Sequence, residues 1–229
     1  MMKILAMDTS NKALSLAILD NKETLGQVTL NIKKNHSITL MPAIDFLMNS
    51  LDLKPTDLDR IAVAQGPGSY TGLRIAVATA KTLAHTLKIE LVGVSSLLAL
   101  VPEQVEGLVI PIMDARRNNV YAGFYQSGQA VRSEAHLPLA EVLEIAGAAN
   151  QPVTFVGETA AFAEQIKAAL PQAAIQPTLP DAAVVGHLGL ELPAQSIHDF
   201  VPNYLKRVEA EENWLKTHQE SGDSYIQRL

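Results

Sequence analysis

Two aspartates stand in the same local pattern in the two halves of the chain. Asp8 follows the apolar residues 4–7 and Asp114 follows the apolar residues 108–113, and each is followed by a polar turn and a second apolar run. Two carboxylates that face each other across a cleft can bind Mg²⁺ or act as a general base. Aspartate is also a common cap of its own turn. The residue types alone leave both interpretations open.

A glycine-rich segment between a predicted strand and a predicted helix is the second candidate site. Residues 65–74 read Gln-Gly-Pro-Gly-Ser-Tyr-Thr-Gly-Leu-Arg, and either Ser69 or Thr71 can cap the helix that follows. A Walker A loop needs four residues between its glycines and then a lysine, whereas Gly68 and Gly72 enclose three and a leucine follows. A dinucleotide-binding loop would need glycine at position 71. The segment therefore predicts a tight structural turn, or an anion site on helix N–H groups.

Other catalytic and metal chemistries have few candidate residues. The chain contains no cysteine, which excludes disulfides, thiolate metal sites and cysteine nucleophiles. The pair Ser95-Ser96 lacks the Gly-x-Ser-x-Gly elbow of a serine hydrolase. No two histidines are three or four positions apart, so no helical metal pair exists. The six histidines are His36, His85, His136, His187, His198 and His218. We therefore predict no metal site.

Composition limits the class of protein and its partners. The 229 residues are 48% hydrophobic, enough for one large domain or two small ones with a sizeable core. The net charge of −6 and the absence of a basic run argue against a protein that binds nucleic acid by itself. The first apolar run is interrupted by Asp8, so no signal peptide is visible, and no segment has the length of a membrane span. We expect a soluble, cytoplasmic protein.

Hydrophobic periodicity predicts two similar halves. The first half reads strand, strand, strand, helix, strand, helix, strand. Its strands are predicted at 3–7, 13–19, 23–32, 61–64 and 91–94, and its helices at 37–51, 73–87 and 97–101. Setting Asp114 on Asp8 gives a repeat offset of 106 residues, since 114 − 8 = 106. The second half has predicted strands at 108–113, 120–125, 132–137 and 153–156, and predicted helices at 139–149, 160–170 and 182–192.

The repeat leads to a prediction of domain boundaries. Residues 1–104 form an N-terminal lobe with the complete repeat, and residues 105–200 form a C-terminal lobe. Residues 201–229 form a tail that packs back on the lobes. The second half is predicted to be degenerate, because no counterpart of the glycine-rich segment occurs near residues 172–180.

Two predicted helices have more apolar surface than one core face needs. In helix 73–87 the core stripe comprises Leu73, Val77, Ala80, Leu83, Ala84 and Leu87. The opposite face is small and weakly polar, with Ile75, Ala78, Thr79, Thr82 and Thr86, and it is edged by Arg74, Lys81 and His85. Helix 37–51 has a core stripe of Leu40, Met41, Ile44, Leu47, Met48 and Leu51, while Ile38, Pro42 and Phe46 lie off it. These faces predict a helical protein–protein interface, unless another element of the chain covers them.

Several short motifs are spread over nearly the whole chain. They are Met-Asp-Thr-Ser at 7–10, Asn-His-Ser at 35–37, Gly-Pro-Gly-Ser-Tyr-Thr-Gly-Leu-Arg at 66–74, Gly-Val-Ser-Ser-Leu at 93–97, Met-Asp-Ala-Arg at 113–116, Val-Tyr at 120–121 and Pro-Asn-Tyr-Leu-Lys at 202–206. Together these motifs, of which the string at 66–74 is the most specific, resemble the TsaB family, also called YeaZ, the bacterial accessory subunits of tRNA threonylcarbamoyladenosine synthesis. The resemblance implies an α/β fold of two similar lobes, each a mixed sheet with helices, in the actin-like, sugar-kinase and heat-shock ATPase (RNase H-like) superfamily.

The resemblance implies an accessory subunit that is not an enzyme by itself. The family's catalytic relative, TsaD, has a His-x-Glu-Gly-His metal motif after the same strand, where residues 96–100 here read Ser-Leu-Leu-Ala-Leu. An older glycoprotease label therefore implies an inactive homologue of a peptidase family. The expected role is to dock on TsaD, which transfers threonylcarbamoyl from threonylcarbamoyl-AMP to the adenosine beside the anticodon of tRNA. TsaE, an ATPase, joins the pair, the subunit alone forms a homodimer, and tRNA is contacted only through the complex.

The resemblance also implies the site residues. Docking by the first two helices implies a partner-binding set of Ile38, Phe46, Arg74, Ile75, Ala78, Lys81, Thr82 and His85. A vestigial nucleotide site is implied at Asp8, Thr9, Ser10 and Asp114. The superfamily expects glycine two residues after Asp8, where this chain has Ser10, so no intrinsic cofactor is predicted and ATP with Mg²⁺ is expected only at an interface of the complex. The alternative function is a small ATP-dependent phosphotransferase that uses Asp8 and Asp114; a metallopeptidase is a third, disfavoured by the missing histidine pair.

Overall fold

The computed structural model describes residues 2–31, 36–102 and 104–206. Within these ranges the chain forms two five-stranded mixed sheets with five α-helices. The predicted tail segment 209–218 with Trp214, and the end of the strand predicted at 23–32, lie outside the described residues. The described part contains no helix with both the length and the apolar character of a membrane span.

The first sheet is built from the first five strands in the order β3-β2-β1-β4-β5. They are β1 (Lys3–Asp8), β2 (Leu14–Asp20), β3 (Glu23–Leu30), β4 (Arg60–Gly66) and β5 (Glu90–Ser95). The first three strands are antiparallel neighbours, and β1, β4 and β5 run parallel. Parallel neighbours need a crossover, which the helices between them supply.

The second sheet has the same topology, with order β10-β9-β6-β7-β8. Its strands are β6 (Leu108–Asp114), β7 (Asn119–Gln126), β8 (Gln129–Pro138), β9 (Val153–Gly157) and β10 (Ala174–Pro177). Here too the first three are antiparallel neighbours and the remaining pairs are parallel. Two similar lobes are therefore confirmed, and the two aspartates of the repeat end the equivalent strands β1 and β6. The sequence analysis missed β10, which has four residues and lies at an edge.

Helices α1 (His36–Ser50) and α2 (Tyr70–Leu87) cover one face of the first sheet. The hydroxyl of Ser69 accepts the N–H of Gly72 at 3.3 Å, so Ser69 is the cap of α2. The helix thus begins three residues before the predicted start. Lys88, in the left-handed conformation, ends it.

Helix α5 (Ala182–Glu191) covers the opposite face of the same first sheet. Side chains alternate along β1, so Leu5 and Met7 pack under α1 and α2 while Ile4 and Ala6 pack under α5. The predicted lobe boundary therefore needs correction, because residues 105–200 do not all belong to the second lobe. The apolar sequence of α5 indicates that the helix is buried, but it does not indicate which of the two sheets the helix packs against.

The second lobe has its own core beneath α3 (Leu139–Gly147) and α4 (Ala163–Ala169). The residue of the second lobe that corresponds to Gly66 is Gly157, and not a residue near 172–180. Strand β4 ends at Gly66 with φ 128°, and the equivalent β9 ends at Gly157 with φ 91°. These glycines are 91 residues apart, since 157 − 66 = 91, because α3 and its loops are shorter than α1 and its loops. A constant offset of 106 could not find the counterpart.

Residues 195–206, which we call the strap, return along the first lobe after α5. The N–H of Gln195 donates to Leu91 O at 2.8 Å, and that of Asn203 donates to Gln65 O at 2.8 Å. Phe200 is buried in the first core. The described part of the predicted tail, 201–206, thus lies on the first lobe.

Candidate docking surface and interlobe cavity

Helix α1 exposes three large apolar side chains. Ile38 is 67% exposed, Met41 48% and Phe46 62%. The sequence analysis placed Met41 in the core, and this is wrong. The buried stripe of α1 is instead Leu40, Ala43, Ile44, Leu47 and Met48. Met41 lies 100° around the helix from Leu40, just beyond that stripe.

Helix α2 presents a mixed surface beside α1. Arg74, Ala78, Thr82 and His85 are exposed, as predicted for the outer face. Ile75 differs from the prediction, because it is half-buried and packs against the first core. We use the name docking surface for seven exposed residues of these two helices: Ile38, Met41, Phe46, Arg74, Ala78, Thr82 and His85.

Lys81 holds the strap. Its ammonium donates to the backbone carbonyls of His198 at 3.0 Å and Phe200 at 2.7 Å. Gln65 adds a side-chain amide bond to Val201 O at 2.6 Å. Lys81, predicted as a partner-binding residue, thus directs two hydrogen bonds to the strap.

An aromatic cluster at the start of α2 extends the docking surface, and we call it the Tyr70–Arg74–Tyr204 cluster. The rings of Tyr70 and Tyr204 stack with centroids 4.9 Å apart, and the side chains are 46% and 40% exposed. Arg74 Nη1 donates to the Tyr70 hydroxyl at 2.9 Å, and its guanidinium carbon lies 5.2 Å from the Tyr70 ring centroid. Tyr204 was missed as a site residue, although it lies in the Pro-Asn-Tyr-Leu-Lys motif, because no local pattern relates it to a residue 134 positions earlier.

A cavity of about 960 Å³ lies between the two lobes, beside this cluster. The turns after β1 and β6 and the start of α2 line it. Its lining carries cationic, acidic and hydroxyl groups, among them Ser10, Lys12, Tyr70, Asp114, Arg116 and Glu158. Of the four predicted nucleotide-site residues, Ser10 and Asp114 line the cavity.

The two repeat aspartates have different environments. Asp8 is fully buried beneath the cavity, and its Oδ1 accepts the N–H of Ser10 at 2.7 Å. Burial raises the pKa of Asp8, and the hydrogen bonds from Ser10 oppose that rise. Asp114 is exposed, and its Oδ1 accepts the N–H of Arg116 at 2.7 Å. Each carboxylate therefore caps its own turn.

The turn after β1 packs tightly on the glycine-rich segment. Thr9 Oγ1 donates to Gly72 O at 2.8 Å, and the N–H of Ser69 donates to Ser10 O at 2.6 Å. A Cβ on Gly68 would lie 2.9 Å from Ser10 Cβ, so glycine is needed for this close approach. These contacts correspond to the structural-turn interpretation of the segment. In the described ranges, no group of three His, Cys, Asp or Glu side chains could hold a metal ion.

A carboxylate joins the two lobes at the end of β5. Glu134 on β8 accepts hydrogen bonds from Ser95 Oγ of the first lobe and from the Tyr125 hydroxyl. Burial, with the adjacent Glu134, raises the pKa of Tyr125. Sequence reasoning missed this bridge, because a glutamate in the strand predicted at 132–137 gives no sign of a contact with the other lobe.

The paired five-stranded sheets and the cavity between them define a two-lobed α/β protein in which each lobe is a mixed sheet with helices. A family model described as "TsaD: tRNA N6-adenosine threonylcarbamoyltransferase" matches residues 21–214. The tRNA threonylcarbamoyladenosine biosynthesis protein TsaB of Bacillus subtilis is 40% identical over 94% of this chain and 99% of its own length. The chain therefore belongs to the TsaB family, also called YeaZ.

Other relatives agree with this family. The Escherichia coli protein of the same name is 30% identical over 55% of each chain. The structure of YeaZ from Pseudomonas aeruginosa superimposes with a TM-score of 0.76 at 28% identity, over 90% of this chain and 100% of that one. The predicted family and the predicted fold class are thus both confirmed.

Proposed function

We propose that this chain is the accessory subunit that supports TsaD in the synthesis of tRNA threonylcarbamoyladenosine. It docks on TsaD, and TsaD transfers threonylcarbamoyl from threonylcarbamoyl-AMP to the adenosine beside the anticodon. The names of the B. subtilis and E. coli relatives support the pathway. The exposed apolar side chains of α1, with Phe46 62% exposed, are the observation that carries the docking role.

Helices α1 and α2 contact each other on one face of the first sheet, and each has an exposed outer side. On α1 this side carries the large apolar residues Ile38, Met41 and Phe46, and on α2 it carries the small residues Ala78 and Thr82. Large apolar side chains beside small ones suit a contact with other helices, which bury the first and approach the second closely. Burying one such side chain contributes about 1.5–3 kcal/mol. Three of them can support a stable complex.

The absence of catalysis by the chain itself is part of the proposal. Where TsaD has its metal motif, Ser96 is buried and its hydroxyl accepts the N–H of Gly66 at 3.1 Å, so this position serves the packing of β4 against β5. Asp8 lies beneath the cavity rather than in its wall, which disfavours the alternative phosphotransferase. We propose no intrinsic cofactor, with ATP and Mg²⁺ bound only at an interface of the complex.

The remaining partners follow from the same role. TsaE joins the pair of TsaB-type and TsaD-type subunits, and tRNA is contacted through the assembled complex in the cytoplasm. In the absence of TsaD, the docking surface pairs two copies of this chain as a homodimer.

Reconstitution tests the proposal. The chain is mixed with TsaD and TsaE from the same cell, and the mass of the complex is measured by light scattering. Threonylcarbamoyl-AMP, tRNA and ATP with Mg²⁺ are then supplied, and threonylcarbamoyladenosine in the tRNA is measured by mass spectrometry. We expect a heterodimer of TsaD with this chain, and modification that requires both. Modification at an unchanged rate without this chain, or modification by this chain alone, would contradict the proposed role.

A further inference from the structure

Helix α2 carries only positive charge in a chain that is acidic as a whole. Its eighteen residues include Arg74, Lys81 and His85 and no aspartate or glutamate, whereas the net charge of the chain is −6. The ammonium of Lys81 is directed to the strap carbonyls, whereas the guanidinium of Arg74 is on the exposed side of α2 and can donate to a partner. The docking surface is therefore locally complementary to an acidic surface.

The side chain of Arg74 is already held in position. Stacking over Tyr70 and the bond from Nη1 to the Tyr70 hydroxyl fix its plane, and Tyr204 supports the other side of the pair. In the described part of the chain, no carboxylate pairs with Arg74, and no acceptor for its Nε or Nη2 is found. A guanidinium fixed in this way can bind a carboxylate with two parallel hydrogen bonds at a reduced entropic cost.

We propose that the Tyr70–Arg74–Tyr204 cluster binds a carboxylate side chain of the heterologous partner, and that this contact makes the docking surface prefer that partner over a second copy of this chain. The inference rests on the proposed docking function and adds to it the charge of the partner. The cluster is continuous with the docking surface, since Arg74 belongs to both. The strap therefore contributes to recognition through Tyr204.

A second copy fits the same surface less well. In a two-fold contact that pairs α2 with α2, each copy presents the same cationic helix to the other, and the like charges of Arg74 and Lys81 in the two copies repel. Helix α1 has one acidic residue, Asp45, which is exposed and is all that a second copy could offer from these helices. A partner that presents several carboxylates on a helix would avoid this repulsion and could pair with Arg74.

Two substitutions at one position separate charge from geometry. Arg74→Gln removes the charge, and Arg74→Lys keeps the charge but loses the planar pair of donors. Arg132→Gln is the matched control, because Arg132 is a half-exposed arginine on β8 in the other lobe. Affinity for purified TsaD is measured by calorimetry at low and high salt, and homodimerisation by sedimentation equilibrium. Thermal melting confirms that each variant is folded.

We expect Arg74→Gln to weaken the complex with TsaD about 30-fold or more, as for loss of one partner of a buried charge pair. Arg74→Lys should retain only part of the affinity for TsaD, because lysine lacks the planar pair of donors. Arg132→Gln should bind TsaD with unchanged affinity. The affinity of Arg74→Gln for TsaD should depend less on salt than that of the unchanged chain. The homodimer should weaken less than the heterodimer. The inference is overturned if Arg74→Gln weakens the complex with TsaD by less than about tenfold. It is also overturned if Arg74→Gln weakens the homodimer as much as the heterodimer or more, and Asp45→Asn weakens the homodimer in the same way.

The same experiment distinguishes failure of the proposed docking function from failure of the carboxylate contact alone. If the unchanged chain does not bind TsaD, or if Ala78→Arg binds it normally, the docking role itself is wrong. If Ala78→Arg abolishes binding while Arg74→Gln binds normally, docking stands and only the carboxylate contact is wrong.

Discussion

Two neighbouring residues of α2 can be used to test whether the exposed side of this helix is a protein–protein interface. Val77 is buried in the first core, with 3% of its surface exposed, and Ala78, the next residue, is exposed. The two side chains are separated by 100° around the helix. We predict that Val77→Glu unfolds the first lobe, whereas Ala78→Arg leaves it folded and abolishes both homodimerisation and binding to TsaD.

The magnitudes follow from burial. Val77→Glu loses about 1.5–3 kcal/mol of apolar burial, and placing an unpaired carboxyl group in the core costs several kcal/mol more. The sum approaches the whole stability of a typical domain, about 5–15 kcal/mol. Ala78→Arg removes no core contact, and the Ala78 carbonyl still accepts the Thr82 hydroxyl, so stability should change by about 0.5 kcal/mol or less. At a packed helix–helix contact the same arginine is buried without a partner, and association loses several kcal/mol.

Two measurements decide the outcome. Circular dichroism reports the melting temperature of each variant, and sedimentation with and without TsaD reports association. Equal unfolding by the two variants would mean that another part of the chain covers Ala78. Normal pairing of folded Ala78→Arg with TsaD would place the docking surface elsewhere.

Three further predictions concern the cavity, tRNA and Asp8. Isothermal calorimetry should show weak or no binding of ATP·Mg²⁺ to the isolated chain, because Ser10 adds a side chain where a phosphate loop needs bare backbone; low-micromolar affinity that is lost in Asp8→Ala would support the phosphotransferase instead. Filter binding should show no salt-dependent affinity of the isolated chain for tRNA, given its net charge of −6, and tight binding at physiological salt would contradict this. Asp8 has a raised pKa in the folded state, so its contribution to stability is full below its unfolded pKa and is lost as pH rises through the folded value. Melting curves of Asp8→Asn, which keeps the oxygen that accepts the Ser10 N–H, should therefore show a higher melting temperature than the unchanged chain at neutral pH and a smaller gain under acid. The opposite trend would show that the carboxylate is stabilised by its surroundings.

The features that local pattern determines were predicted well. The repeat of Asp8 and Asp114 identified two equivalent strands, because a buried strand followed by a polar turn is a local signal. The helical wheel of α2 correctly placed Val77 on the buried side and Ala78 on the exposed side, because a helix that packs on a sheet has one buried side. Ser69 was one of two predicted caps, and the structure selects it.

The features that were missed or predicted wrongly depend on distant parts of the chain. Met41 is apolar and lies one position beyond the buried stripe, so periodicity alone placed it in the core. Lys81 has the sequence context of a surface lysine, yet a strap more than a hundred residues later accepts its hydrogen bonds. Tyr204 joins Tyr70 for the same reason, since only the path of the chain brings them together. Tertiary contacts of this kind leave no local pattern in a single sequence.

The placement of α5 makes the second lobe an insertion in the first. The chain builds the first sheet by residue 95, builds the second lobe between residues 108 and 177, and only then returns with α5. Until residues 182–191 leave the ribosome, the face of the first sheet that carries Ile4 and Ala6 lacks the helix that covers it. A fragment that ends near residue 104 would keep its strands but expose that apolar face, which makes it prone to aggregation. The lobe boundary visible in the sequence is therefore not a boundary at which the protein can be cut, and the first lobe completes its fold only after the second has been synthesised.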